Sequence, residues 1–284
     1  MSDGRSGSSF LRRAFRHRSF VVGATLTAFV VAMALLSLIW TPYAPTAINI
    51  RRRMAMPSAD HWLGTDSFGR DVLSLILAGA QNSLTVGVLA VGCGIVLGST
   101  LGLLAAARRG WIEELVMRFA DFTFAFPAIL SAIMLAAIFG PSTMNSVVAI
   151  AIFNIPVFAR VVRGSANAIW ARDYILAARS AGKGSTRITI EHVLPNILAV
   201  IVVQATIQFA LAILAEAALS YLGLGTQPPT PSWGRMLNEA QAMVFRAPFL
   251  AVFPGCAIAI AVLGLNLLGD GLRDLTDPRL SRQR

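Results

Sequence analysis

Long apolar runs are the feature that most constrains how this sequence can fold. Six stretches of roughly 20 residues carry almost no charge, and a helix of that length, rising about 1.5 Å per residue, crosses a hydrocarbon core about 30 Å thick. Only 13% of the residues are charged, about half the share typical of a soluble domain. The six runs, which we predict to be transmembrane helices, are residues 20–40, 84–107, 122–139, 147–162, 197–219 and 249–268.

The predicted fold class is all-α, a polytopic membrane protein with six transmembrane helices. In lipid every backbone N–H and C=O group needs an internal partner, so only helices and closed β-barrels span a bilayer. Barrel strands are about 10 residues long and alternate in polarity, a pattern that this sequence lacks. The first run follows five arginines, as in a secretory signal, but its length of about 21 residues exceeds the usual signal core, so we predict a retained first span.

The distribution of basic residues predicts that both termini face the cytoplasm. Cytoplasmic loops of membrane proteins are enriched in Lys and Arg, and most of the 24 basic residues fall on the side of the N-terminal tail. The net charge of +10 is therefore explained by topology and contact with the lipid bilayer. No nucleic-acid partner is predicted, because the basic residues flank the spans and do not cover one soluble face.

Three long polar connections separate the spans, at residues 41–83 outside, 163–196 inside and 220–248 outside. Connections of this length are usually functional, so we look for function there first. We divide the chain into residues 1–82, which hold the N-terminal tail, the first transmembrane helix and an outside loop, and residues 83–284, a five-helix core that contains the inside loop.

A face of small residues is predicted on the second span. Gly94, Gly98 and Gly102 recur every four residues, which places all three on one side of a helix. Small residues let helix backbones approach closely in lipid. The spacing fits packing inside the bundle and a subunit interface equally well.

No enzyme site, cofactor or metal site is predicted in this chain. Residues 182–186, Gly-Lys-Gly-Ser-Thr, superficially resemble a phosphate loop. In a true phosphate loop Ser or Thr directly follows the Lys, whereas here Gly184 follows Lys183. The three histidines lie in different segments and the two cysteines fall within predicted spans, so a shared metal site is not indicated. Any ATP and magnesium must be bound by a partner.

The inside loop contains a short predicted helix. Asp173 is a favourable N-cap and Gly182 a favourable residue just after a helix end, which leaves about two helical turns between them. Ala177, Ala178 and Ala181 give this helix a small-residue surface. A short cytoplasmic helix with small residues and flanking charge suits insertion into a groove on another protein.

This loop resembles the EAA loop of ABC importer permeases, in which Glu-Ala-Ala is followed by three residues, a Gly and a later hydrophobic-Pro element. Residues 177–178 and Gly182 match, and His192 and Pro195 stand where the peptide-importer branch has His-x-x-Pro. Leu176 replaces the leading Glu. The resemblance implies that residues 172–195 are the coupling loop that docks on an ATPase. The candidate docking residues are Asp173, Tyr174, Ala177, Ala178, Arg179, Gly182, His192 and Pro195.

Two further stretches resemble the second permease subunit of dipeptide, oligopeptide and nickel importers. They are residues 61–74, His-Trp-Leu-Gly-Thr-Asp-Ser-Phe-Gly-Arg-Asp-Val-Leu-Ser, and residues 219–234 with their continuation at 266–274. The resemblance implies a type I ABC importer permease in the bacterial inner membrane. Its implied partners are a second, homologous permease subunit, two ATPase subunits and an extracytoplasmic substrate-binding protein. A dipeptide, a longer oligopeptide and a nickel chelate remain alternative substrates.

Polar side chains in the spans are candidates for a translocation path, because such groups are costly in lipid and often functional. Glu216 and Asp121 lie near predicted span ends, where each either reaches interfacial water or serves a site. Gln204 and Gln208 share one helical face and either line a path for peptide amides or bond neighbouring helices. The predicted path residues are Gln204, Gln208 and Glu216.

The outside loops carry a second group of candidates. Asp66, Arg70 and Asp71 lie among turn-forming glycines, and Trp233 lies in the later loop. One interpretation is an internal ion pair that holds the loop together, which contributes about 0–1 kcal/mol if exposed. The other is that these four residues close an outer gate or contact the binding protein.

Two other function classes compete with the importer. A secondary transporter driven by an ion gradient should show paired charges or interrupted helices near the membrane midplane, and the sequence indicates no such pair. A membrane-anchored scaffold would not require three long polar loops.

Overall fold

The computed structural model describes residues 13–276, and this part of the chain is helical, without β-strands beyond one isolated bridge between Thr65 and Asp71. The predicted all-α fold is confirmed. The helices are α1 (Arg18–Ile39), α2 (Val72–Arg108), α3 (Trp111–Ala125), α4 (Ala128–Phe139), α5 (Thr143–Trp170), α6 (Asp173–Ser180), α7 (Ser185–Tyr221), α8 (Trp233–Ala240) and α9 (Phe249–Thr276).

Five of these helices, α1, α2, α5, α7 and α9, are long and apolar enough to cross a membrane. Several extend beyond the predicted spans: α5, α7 and α9 continue into polar residues, whereas the residues added at the beginning of α2 are mostly apolar. The second span, predicted to begin at residue 84, begins at Val72, where the Asp71 side chain accepts a hydrogen bond from the Ser74 backbone N–H. The domain division predicted after residue 82 therefore falls inside α2.

The third predicted span is not one straight helix. Residues 122–139 include the end of α3 and all of α4, and the two helices meet at an angle of 82°. Pro127 explains the break, because its ring clashes with helical geometry in the preceding residue. Phe126 is accordingly extended, with φ −100° and ψ 132°. A sixth span exists only if this bent pair is counted as one.

The glycine face of α2 packs inside the bundle, against α5. A side chain at Gly94 would lie 2.6 Å from the Asn154 Cβ, and one at Gly102 would lie 2.5 Å from the Ala159 carbonyl oxygen. A side chain at Gly98 would collide with the Ile155 carbonyl oxygen. The π-helical turn Gly94–Gly98 lies at this crossing. Of the two alternatives left open by the spacing, the structure selects internal packing.

Two apolar clusters form the core. One joins α1, the first half of α2, the end of α7, α8 and α9, and includes Trp233 and Ile213. The other joins the rest of α2, α5, α6 and the first half of α7, and includes Phe158 and Ile197. The short helix α6 is tied to this second cluster by the fully buried side chain of Ile175.

Candidate coupling, outer-loop and translocation sites

The helix predicted in the inside loop is present as α6, and its end follows the predicted geometry. Gly182 has a φ of +81°, a conformation that L-residues with a side chain adopt at a cost. The Gly182 N–H donates to the Arg179 carbonyl at 2.9 Å and the Lys183 N–H donates to the Ala178 carbonyl at 3.1 Å. These two bonds satisfy the last carbonyls of the helix in a Schellman motif.

The beginning of α6 differs from the prediction by one residue. Arg172, with φ −84° and ψ 145°, occupies the N-cap position, and its side chain makes no capping hydrogen bond. Asp173 is the first helical residue. Its carboxylate still lies in the first turn, where negative charge is favoured by the helix dipole.

One face of α6 is open to solvent. Ile175 faces the core and is buried. Among the docking candidates on the helix, Ala178 is half-buried and the others are exposed. Leu176, at the position where the related loops have Glu, is 55% exposed. The exposed candidates are Asp173, Tyr174, Ala177, Arg179 and, beyond the helix, Gly182.

The neighbouring segment braces α6 through polar and aromatic contacts. The ring of His192 packs edge-on against Tyr174, with centroids 6.3 Å apart. Lys183 Nζ lies 3.0 Å from His192 Nε2 and 2.6 Å from Glu191 Oε2. Pro195 lacks the N–H that would bond the Glu191 carbonyl, and a π-helical turn, Thr189–Val193, precedes it. His192 thus lies beside α6, and Pro195 follows the π-helical turn within α7.

In the outer loops, Arg70 connects two segments that are distant in the sequence. Its guanidinium bonds Asp66 at 2.5 Å and also Glu239 of α8, and Arg235 bonds the same Glu239 at 3.0 Å. Burial disfavours the charged guanidinium, but the two carboxylates outweigh this effect and raise the pKa of Arg70 above its ordinary value. Glu239 is a partner that sequence reasoning missed.

Asp71 and Trp233 occupy packed positions. Asp71 is 3% exposed; it caps α2 and bonds His61 Nδ1 at 2.9 Å. The ring of Trp233 is fully buried, and its Nε1–H donates to the Ile76 carbonyl at 3.1 Å. In this conformation the Trp233 side chain is therefore a core residue, and direct contact with another protein is not open to it. The predicted role in an outer gate remains a prediction.

Glu216 lies in a buried polar cluster and does not reach interfacial water. Its side chain is fully buried and accepts hydrogen bonds from Ser83 at 2.9 Å and from Ser220 at 2.7 Å, with Thr226 at 3.3 Å. Asn82 also donates to Thr226, at 2.9 Å. The cluster joins α2, α7 and the segment after α7.

Replacing Glu216 by Leu should destabilise the protein, because the surrounding buried hydroxyls lose their acceptor. We expect a loss of about 1–3 kcal/mol in the free energy of unfolding, measured by thermal unfolding in detergent. Glu216→Gln keeps one acceptor oxygen and should cost less. As a control, Glu114 is exposed and, among the described residues, pairs only with Arg118 on the same helix, so Glu114→Leu should have little effect. Equal stability of the Glu216→Leu protein and wild type would contradict the structural role of the cluster.

A cavity of about 200 Å³ lies between α4, α5 and α7. Its wall is mostly apolar, and Gln208 and Asn154 contribute its amide side chains. Gln204 is not part of this wall, and Glu216 lies outside it as well. Neither glutamine makes a side-chain hydrogen bond within the described residues, so bonding between helices of this chain does not explain them. Asn154, in the middle of the fourth predicted span, was the polar signal that sequence reasoning missed.

The bent pair α3–α4 forms one side of this cavity and exposes an apolar surface. Asp121 of α3 forms an ion pair with Arg160 of α5, a pairing of distant residues that the sequence did not reveal. The large exposed apolar side chains of α3 and α4 are Trp111, Leu115, Phe119, Phe122, Phe124, Ile129, Leu130, Met134, Ile138 and Phe139.

Comparison with known proteins identifies a family. The sequence model of the "Binding-protein-dependent transport system inner membrane component" family matches residues 94–282. The chain is 43% identical over 265 residues to the "Dipeptide transport system permease protein DppC" of Alkalihalophilus pseudofirmus, covering 93% of this chain and 87% of that protein. It is 45% identical over 272 residues to the "Glutathione transport system permease protein GsiD" of Pectobacterium atrosepticum, covering 95% and 90% respectively.

The fold also has a counterpart among solved structures. An inward-facing structure of the MetNI methionine ABC transporter matches with a TM-score of 0.61 and 20% sequence identity, covering 72% of this chain and 97% of that chain. At this level of identity the match supports the fold. It agrees with the permease fold that the sequence motifs imply.

Proposed function

The chain belongs to the family of binding-protein-dependent transport system inner membrane components, and we propose on this premise that it imports peptides or peptide-like compounds at the expense of ATP. It is a multi-pass permease component of an ABC importer, not an enzyme. The sequence relatives named for dipeptide and glutathione transport support the proposed substrate class, since both compounds contain peptide bonds. A nickel chelate is the alternative cargo.

The observation that carries this proposal is the geometry of α6. A helix of only two turns has little stability of its own, yet here Ile175 anchors it in the core and the Gly182 turn defines its end. The opposite face, with Tyr174, Ala177 and Arg179, remains exposed. Such a helix transmits force as a rigid body, as a coupling element between an ATPase and the spans requires.

We assign two further surfaces to partners. The exposed apolar side chains of α3 and α4 suit contact with a second, homologous permease subunit, because a path for peptides needs walls on both sides. The assembly contains two ATPase subunits, which bind ATP and magnesium, and α6 docks on one of them. An extracytoplasmic binding protein delivers substrate at the outer loops near Arg70. This arrangement requires that both termini and α6 face the cytoplasm.

The test of function is uptake by the complete assembly. The chain is reconstituted in liposomes with a sister permease, two ATPase subunits and a binding protein, and the uptake of alanyl-alanine, glutathione and a nickel chelate is measured. We expect ATP-dependent uptake of a peptide. Uptake driven by an ion gradient without ATP would instead identify a secondary transporter, and uptake of the nickel chelate alone would correct the substrate.

The orientation is tested separately by reporter fusions that are active only in the cytoplasm. A fusion after Arg284 should give signal, and a fusion within residues 51–59 should not, because the basic residues place those segments on opposite sides. The reverse pattern would overturn the topology and, with it, the assignment of α6 to the ATPases.

A further inference from the structure

Asn154 presents a buried hydrogen-bond acceptor that residues 13–276 do not satisfy. Its side chain is 4% exposed, and its Nδ2 donates to the Ile150 carbonyl one turn earlier, at 3.0 Å. The Oδ1 atom has no hydrogen-bond partner among the described residues. Exchanging the amide oxygen and nitrogen would turn Oδ1 against the Ile150 carbonyl, so this orientation is the favourable one.

An unsatisfied amide oxygen at this depth calls for an explanation, because buried polar groups are nearly always paired. The surrounding packing is close, with the Cβ position at Gly94 only 2.6 Å from the Asn154 Cβ. The π-helical turn of α2 begins at that glycine, and such turns are frequent at functional sites. The neighbouring helices thus hold Asn154 in position without offering its oxygen a donor.

The cavity beside Asn154 indicates what kind of donor is missing. Gln208, which also lines it, is half-buried and makes no side-chain hydrogen bond within the described residues. The remaining wall is apolar, including Phe124, Ile129 and Leu211, and none of the described lining residues is charged. A site without a counter-charge disfavours a charged ammonium group or a metal cation. A neutral N–H group with an apolar neighbour fits these walls.

We propose that Asn154 Oδ1 accepts a hydrogen bond from the backbone N–H of a peptide during translocation, with Gln208 bonding the same peptide link across the cavity. This inference rests on the proposed function and names the group of the substrate that the site recognises. In the described conformation Oδ1 is closed to solvent, so the proposed contact requires the helices around Asn154 to move apart during the transport cycle. A backbone amide is shared by peptides of many sequences, which suits a permease that handles varied cargo.

The test compares a peptide with its analogue methylated on the peptide nitrogen, using the transported peptide identified in the uptake experiment. We measure the uptake ratio of the two compounds for wild type and for Asn154→Leu in the complete assembly. Any discrimination by the binding protein is common to both variants and cancels when the two ratios are divided. Asn154→Leu should reduce uptake of the unmodified peptide. The uptake ratio of the unmodified to the methylated peptide should decrease by about two- to tenfold, the effect of one neutral hydrogen bond.

Matched variants keep this test decisive. Asn154→Ala makes the same comparison if Leu disturbs the packing at Gly94. Asn167, on the same helix, also has a buried Oδ1 without a partner in the described part of the chain but does not line the cavity, so Asn167→Leu should leave the ratio of the two compounds unchanged.

Each result has one meaning. If both Asn154 variants keep the wild-type ratio, the proposed contact is wrong. If the Asn154 variants recover little sister permease and lose uptake of both peptides equally, Asn154 Oδ1 bonds that subunit and not the substrate. This result would also overturn the inference. An absence of ATP-dependent peptide uptake by the wild-type assembly would overturn the proposed function instead.

Discussion

Gly182→Leu is expected to abolish peptide uptake while the protein still reaches the membrane. Gly182 has a φ of +81°, and a Cβ atom there would meet no atom of residues 13–276 within 4 Å. The substitution is therefore harmful through the backbone and not through a clash with these residues. The left-handed conformation costs an L-residue roughly 1–2 kcal/mol, and the bulk of Leu is added at the surface proposed to dock on the ATPase. The measurements are uptake and the amount of ATPase that co-purifies with the chain.

Two substitutions separate the backbone effect from the added bulk. Gly184 also has open space around it but an ordinary φ of −70°, so Gly184→Leu should retain much more activity. Gly182→Asn should be milder than Gly182→Leu, since Asn tolerates the left-handed region. Leu176→Glu, at an exposed position, should be tolerated. Normal transport and normal ATPase recovery with Gly182→Leu would mean that α6 is only a connector.

Trp233→Ala should produce the largest loss of stability. The indole is fully buried in the apolar cluster that joins α1, α8 and α9, and its N–H donates to the Ile76 carbonyl. Gly79 of α2 leaves room for the ring, because a Cβ atom added at this glycine would lie 2.9 Å from the indole. Truncating a buried Trp typically costs about 3–5 kcal/mol. We expect a clear decrease in the thermal unfolding temperature in detergent, with low yield from the membrane.

Trp62 provides the control for this prediction. It lies in the other outer loop and is 64% exposed, so Trp62→Ala should change the unfolding temperature little. Trp233→Phe keeps most of the apolar contact but removes the N–H donor, and should lie between wild type and Ala. If Trp233→Ala were as stable as wild type while transport fell, the residue would act in the gate or in docking and not in the core.

Local signals in the sequence were sufficient to predict the structural elements whose conformation depends on neighbouring residues. The length of the apolar runs determined a helical membrane protein, because the strands of a β-barrel, the other structure that satisfies the backbone in lipid, are shorter and alternate in polarity. Gly182 determined where α6 ends, because its role depends on the backbone of four or five adjacent residues. The proline break between α3 and α4 was also present in the sequence, since Phe126-Pro127 favours extended backbone, although the apolar pattern continued across it.

Only the tertiary structure decided the contacts between distant parts of the chain. Arg70 and Glu239 are 169 residues apart, and no local pattern relates them. The glycine face of α2 was visible in the sequence, but its partner became defined when α5 packed on it, because the same spacing serves several interfaces. Trp233 was predicted from its loop position to serve an outer gate or a contact with the binding protein, and Asn154 was overlooked among apolar neighbours. Burial and unsatisfied hydrogen bonds are properties of the packed bundle, since they depend on which side chains from other helices approach.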